Sequence, residues 1–193
     1  MNKAAFLDRD GVINRKAPTE DEYITRWEDM EILPGVVEAI ALLSKAGFRV
    51  IVVSNQRCVA KGILTTHELD AIHRRMCSEL SAMGGKIDGV YYCPHEEQPP
   101  CDCRKPEPGM LFAAASEHQI DLSSSWMIGD SGKDVEAGRR AGCRTARVMG
   151  SNIGTDANAD VLSWSLLEAV HQILQAETVT DRREIGAVQS NLR

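Results

Sequence analysis

Lys3-Ala-Ala-Phe-Leu-Asp-Arg-Asp-Gly11 decides how the chain is to be read: four apolar residues, Ala4 to Leu7, run directly into a turn bearing two carboxylates. An apolar run without polar alternation is the pattern of a strand covered on both faces by helices, as in a parallel sheet. Ligands of such open α/β sheets bind beyond the carboxyl ends of the strands. Asp8 and Asp10 therefore stand where chemistry is expected.

Outward from this stretch the pattern repeats. Gly35 to Lys45, introduced by Pro34 and stopped by Gly47, reads as a helix, and Phe48 to Val53 is a β-branched strand ending in Ser54-Asn55. Thr65 or Thr66 caps a helix with Leu69, Ile72, Met76 and Leu80 at helical spacing, broken by Gly84 and Gly85; Gly89 to Tyr92 is a third strand. Helices are expected over Pro108–Gln119, Lys133–Ala141 and Ser163–Gln175, and strands over Trp126–Ile128 and Thr145–Met149. The order predicts a doubly wound, mainly parallel α/β sheet with helices on both faces. One domain over residues 1–177 follows, with 178–193 a charged tail of weak periodicity, open to disorder.

Composition removes whole classes of function. An apolar share of 43% in 193 residues is enough for a globular core, and no apolar run approaches the roughly 20 residues of a membrane span. Twenty-two basic against 28 acidic residues give a net charge of −6, which offers no broad positive field to nucleic acid or an anionic membrane. The amino terminus lacks the apolar core of a secretory signal, so a cytoplasmic protein is expected, with a monomer as the default. His67, His73, His118 and His171 fall on expected helices and read as solvated.

The strand ends carry the chemistry. Besides Asp8 and Asp10, the Trp126 strand leads into Gly129-Asp130 with Asp134 four residues on, and Arg104-Lys105 precedes the Pro108 helix. Carboxylates from distant stretches gathered at one sheet edge repel unless a cation sits among them, and hard oxygen donors select Mg²⁺ with a substrate phosphate. Asp8 is placed to attack phosphorus, Asp10 to protonate the leaving oxygen and then activate water, and Lys105 and Ser54 to meet charge on the transferring group.

Five of the seven prolines lie between Cys93 and Pro108, in a loop that secondary structure alone does not fix. Its Cys93-Pro-His95 and Cys101-Asp-Cys103 offer three thiols and an imidazole, a set that suits a structural Zn²⁺ site. The competing readings are a flexible loop with adventitious thiols or a Cys101/Cys103 redox pair.

These residues together resemble the haloacid dehalogenase superfamily of phosphatases, whose four motifs correspond to FLDRDG, VVSN, RKP and GDSGKD, in order from Phe6 to Asp134. The resemblance implies a Rossmann-like fold with Asp8 as nucleophile, Asp10 as general acid and base, and Ser54 and Lys105 as the phosphate-binding pair. It implies Mg²⁺ on the Asp8 carboxylate, the Asp10 backbone carbonyl and Asp130, with Asp134 as a supporting or alternative acid. CPH, CDCRKP and PGM within so small a chain are similar to the D-glycero-D-manno-heptose 1,7-bisphosphate 7-phosphatases, and YITRWEDMEILPGV, VVSNQ and DGVYYCPH look closer to them than to the related histidinol-phosphatases. A small phosphorylated sugar is then the expected substrate.

Arg104, with its planar fork, is the candidate for a second phosphate; Arg57, Asn55 and Gln56 could add contacts to phosphate or sugar hydroxyls. No large inserted cap fits after Asp10 or Asn55, so the site should be capless and framed by residues 16–27, 56–61 and 93–105. A histidinol-phosphate phosphatase and a catalytically silent, zinc-stabilised interaction module are the alternatives.

Overall fold

The computed structural model describes residues 1–19, 22–150 and 158–190, and of 179–190 the backbone alone. The strands are β1 (Lys3–Leu7), β2 (Phe48–Asn55), β3 (Gly89–Cys93), β4 (Trp126–Gly129), β5 (Arg144–Val148) and β6 (Val161–Ser163). They form one parallel sheet in the order β3-β2-β1-β4-β5-β6. The helices are α1 (Val36–Lys45), α2 (Thr66–Ala82), α3 (Gly109–His118), α4 (Gly132–Ala141) and α5 (Leu166–Ser190).

The alternating direction of side chains along β1 divides the core. Ala5 and Leu7 face the apolar stripes of α1, α2 and α5, whereas Ala4 and Phe6 face α3 and α4. Both faces are dry, which is why β1 and β2 read as continuous apolar runs rather than as alternating ones. The winding reverses between β1 and β4, the crevice where open α/β sheets place their ligands. Leu7 pairs with Ile128 there, and the Asp8 N–H donates to the Ile128 carbonyl at 2.9 Å, so the residues that follow the two strands emerge side by side.

Between β1 and α1 the only regular element among the described residues is a 3-10 turn at Trp27–Asp29, and α2 follows β2 without an inserted domain. The capless architecture is as expected. Three details differ from the sequence reading. Val161–Ser163 is an edge strand beside β5, too short to leave a periodic signal, where a helix start was expected. The backbone of α5 continues past Gln175 to Ser190, so the described part of the tail is helical, while residues 191–193 of the same expectation lie outside the described residues. Glu177 ties this extension to the sheet by accepting from Lys3 at 3.2 Å and from Arg144. Finally, His73 is buried on α2 rather than solvated.

Helix α4 approaches β4 closely because Gly138 has no side chain: a Cβ there would stand 2.5 Å from the Met127 Cβ and 2.9 Å from the Thr145 methyl. This approach sets where the start of α4, with Asp134, meets the end of β4. Gly138→Ala should therefore cost about 1–3 kcal/mol of unfolding free energy, read by urea denaturation. A variant as stable as the wild type would show that the close approach is dispensable.

Candidate active site

Asp8, Asp130 and Asp134 converge at the β1–β4 crevice, one carboxylate oxygen of each lying within 4.8 Å of the others. Three buried anions at such separations require cations. Lys105, 3% exposed, is inserted among them: its ammonium donates to Asp8 Oδ1 at 2.8 Å and to the Val53 carbonyl at 2.8 Å, and lies 2.6 Å from Asp134 Oδ1. All three ammonium hydrogens are thereby engaged. Burial alone would weaken the Lys105 cation, but Asp134 and Asp8 outweigh it and hold its pKa above the ordinary lysine value. The same burial pushes Asp8 up to about 7 against the pull of Lys105, with the neighbouring carboxylates adding to the rise. For Asp134, Lys105 and the Ser131 donors overcome the burial penalty and hold the carboxyl low.

Asp134 reaches this position through the α4 cap, its Oδ2 accepting from the Ser131 N–H at 3.0 Å and the Ser131 hydroxyl at 2.6 Å. Both oxygens are occupied, one by the cap and one by Lys105. Asp130 is different. Its Oδ2 meets the Lys16 ammonium at 2.5 Å, while its buried Oδ1 has no hydrogen-bond partner among the described residues. Burial raises its pKa, partly offset by Lys16. Gly11, in the left-handed region at φ 92°, lies so close that any Cβ would collide with the Asp130 carboxylate. An orphaned buried oxygen, hard oxygen donors and a lysine already drawn to them fit a divalent cation of the Mg²⁺ type.

Asp10 points elsewhere. Its carboxylate accepts from Arg9 Nη2 at 3.0 and 2.9 Å, from Asn14 Nδ2 at 2.9 Å and from Gln56 Nε2 at 2.9 Å. Burial acts to raise its pKa, but Arg9 and the other donors prevail and keep Asp10 ionised. Gln56 also donates to the Ser54 hydroxyl oxygen at 2.8 Å, linking the end of β2 to the Asp10 turn. Arg9 carries no expectation from the sequence, because a buried arginine inside a carboxylate motif leaves no periodic or spacing signal of its own, and Asn14 carries none either; Gln56, expected near phosphate or sugar hydroxyls, donates here to Asp10 and Ser54.

The register of β2 and β3 places Asn55 opposite Cys93, so the cysteine loop begins beside the site. Asn55 exchanges a pair of hydrogen bonds with the Lys105 backbone, both at 3.0 Å, which commits its amide to holding that loop. Cys93, His95, Cys101 and Cys103 gather with Sγ–Sγ separations of 3.6, 3.5 and 3.2 Å and with His95 Nδ1 3.6 and 3.3 Å from Cys93 and Cys103. A disulfide brings its sulfurs to about 2.05 Å, and all three thiols are free. Tetrahedral Zn²⁺ with bonds of about 2.3 Å sets sulfurs roughly 3.8 Å apart. The donor set and its spacing fit that ion.

A cleft of about 350 Å³ opens over Asp10, bordered by Lys16, Tyr23, Asn55, Arg57, Arg104 and Lys133. Arg57 donates to the Tyr23 hydroxyl at 2.6 Å, and Arg104 to the His95 carbonyl at 3.1 Å. The expected loops therefore do frame the opening, and Tyr23 borders it through Arg57.

A parallel sheet with an acid cluster and a buried lysine at its switch point defines a hydrolase of the haloacid dehalogenase type, and a family model described as HAD-hydrolase-like matches residues 102–166. The solved D,D-heptose 1,7-bisphosphate phosphatase of Bordetella bronchiseptica, complexed with magnesium and phosphate, superposes with a TM-score of 0.81 and 34% identity over 90% of this chain and 99% of that one. The D-glycero-β-D-manno-heptose-1,7-bisphosphate 7-phosphatase of Pseudomonas putida is 44% identical over 76% of this chain and 82% of its own length. The enzyme of the same name from Escherichia coli K12 is 38% identical over 79% and 76%. The chain belongs to this family of heptose bisphosphate phosphatases and is a phosphoric monoester hydrolase.

Lys105→Met would leave Asp8 and Asp134 buried without their cation. In magnesium-free buffer at neutral pH it should cost about 3–5 kcal/mol of unfolding free energy, measured by urea denaturation. A loss below about 1 kcal/mol would contradict the charge balance described above.

Proposed function

We propose that the protein hydrolyses the 7-phosphate of D-glycero-D-manno-heptose 1,7-bisphosphate through an aspartyl-phosphate formed on Asp8. The observation that carries this reading is the buried Asp8 carboxylate, held by Lys105 at the sheet's switch point beside Asp130. The substrate comes from the relatives' names, which also carry the β anomer. They favour neither histidinol phosphate nor a silent interaction module.

Bound Mg²⁺, held by the Asp8 carboxylate, the Asp10 backbone carbonyl and Asp130, would supply the positive charge that lets an anionic phosphate approach these acids. Asp8 attacks phosphorus and the bond to the sugar oxygen breaks; Asp10 gives that oxygen a proton, then takes one from the water that cleaves the acyl phosphate. The ionised Asp10, gripped by Arg9, is ready for the second step. For the first, one of its oxygens must give up its Arg9 bond and acquire a proton while the other stays on the guanidinium. Ser54 and Lys105 stabilise charge on the transferring group, and since every Lys105 hydrogen is engaged, one of its bonds must be exchanged for a phosphate oxygen.

Arg104 and Arg57, which border the cleft, would receive the second phosphate, and Asn55 would add a substrate contact while its amide also fixes the Lys105 backbone. Zn²⁺ on Cys93, His95, Cys101 and Cys103 would be structural, since four protein ligands leave no open position. We take the enzyme to act on this small sugar as a single-domain cytoplasmic monomer. Its net charge of −6 argues against a nucleic-acid partner, and no described helix is long and apolar enough to cross a membrane.

Asp8→Asn should reduce phosphate release from the β-anomeric bisphosphate by at least about a thousandfold with an unchanged far-UV spectrum. Activity near that of the wild type would reject Asp8 as nucleophile, whereas equal turnover of histidinol phosphate by the wild type would reject the substrate. Cys101→Ser should abolish stoichiometric zinc in metal analysis and lower the melting temperature. A zinc-free wild type that melts with the variant would contradict a structural zinc.

A further inference from the structure

Helix α2 turns one polar group into the core. Among Leu69, Ile72, Met76 and Leu80, which face the sheet, His73 is also buried, 4% exposed. Its Nε2 lies 3.0 Å from Arg9 Nη1. A guanidinium has five donors and accepts nothing, so the imidazole must accept at Nε2 and carry its proton on Nδ1. A cationic ring against Arg9 is disfavoured on the same grounds, and burial and Arg9 together push the His73 pKa down to about 3, against weaker pulls from Asp10 and Asp70.

The arrangement carries a cost. Nδ1 is buried and makes no hydrogen bond among the described residues. An apolar residue would fill this position on α2 without that penalty, so packing does not account for a histidine here. What an apolar residue could not supply is an acceptor for Nη1. Arg9 is 1% exposed, and its remaining donors, Nη2 and Nε, are directed at the Asp10 carboxylate. With Nη1 anchored, the plane of the guanidinium is set, and with it the side from which Asp10 is gripped.

We infer that His73 is a positioning residue for phosphoryl transfer: by accepting from Arg9 it fixes the guanidinium that orients the Asp10 carboxylate. The inference rests on the proposed role of Asp10 in the reaction. Among the described residues the His73 side chain hydrogen-bonds Arg9 and none of Asp8, Asp10 or Asp130, so the proposed effect on the reaction runs through the guanidinium.

Three substitutions separate this role from packing. Gln can place its Oε1 near the position of Nε2 and keep the acceptor; Asn is polar but too short, and Leu fills the space without an acceptor. Steady-state turnover of the heptose bisphosphate should show H73L and H73N losing about tenfold or more in kcat with KM within about twofold, and H73Q recovering kcat to within about threefold of wild type. Melting temperatures measured alongside should not follow this order. The inference is overturned if H73L or H73N keeps wild-type kcat, if H73Q falls as far as H73L, or if kcat tracks melting temperature across the set. Should H73L and H73N fail to fold, H73Q decides, and a loss beyond about tenfold in its kcat overturns the assignment.

A nitrogen-15 spectrum of the wild-type imidazole gives a second reading. It should show protonated Nδ1 and bare Nε2; the opposite tautomer or an imidazolium at neutral pH overturns the inference. Wild-type protein that fails to turn over the bisphosphate would instead count against the proposed function, so the two failures are distinguishable.

Discussion

The insertion of the Lys105 ammonium among buried carboxylates is the constraint on which the rest of the structure depends. Asp8 and Asp134 could not both be ionised in so dry a place without it, and the attack proposed for Asp8 needs its ionised form. The ion network is costly to bury, and replacing it with apolar side chains would often stabilise a protein. Its presence is therefore an argument for chemistry rather than for folding. The sheet provides the frame: β1 and β4 deliver Asp8 and Asp130 side by side, and the capped start of α4 delivers Asp134.

Lys105 does not sit on a strand or a helix. It is held at the end of a proline-rich loop, and two features fix that loop: the reciprocal Asn55 bonds to the Lys105 backbone and the cysteine–histidine cluster that starts where β3 ends. A loop of this length without internal periodicity would otherwise lose much of its order to conformational entropy. The cysteine–histidine cluster, which draws Cys93 and His95 to Cys101 and Cys103, and the Lys105 cation two residues beyond it are thus held by one loop. The same loop presents Arg104 to the cleft, so the residues proposed for the reacting and the distant phosphate share a single support.

Much of this was legible in the residues. The continuous apolar runs of β1 and β2 signalled strands buried on both faces, and glycines and prolines marked the helix ends. Carboxylates immediately after those runs were suspect because strand ends of parallel sheets are where ligands bind. Cys93, His95, Cys101 and Cys103 were legible because soft ligands in that spacing have few other uses. Less could be read where a residue's meaning depends on a partner far along the chain. His73 looked solvated because a helical wheel says nothing of an arginine 64 positions earlier. Asn55 borders the cleft as a substrate ligand would, and its additional engagement with the Lys105 backbone across 50 residues leaves no local signal. Edge strand β6 was too short to register, and α5 outran its apolar stripe.

The central claim is that phosphorus passes through the side chain of Asp8. Rapid mixing with the heptose bisphosphate, quenching, borohydride reduction and peptide mass spectrometry test it most directly, because an acyl phosphate is reduced to an alcohol where a free carboxylate is not. Conversion confined to position 8, dependent on substrate, is the predicted result. Conversion at another carboxylate, or none while turnover continues, would contradict the account.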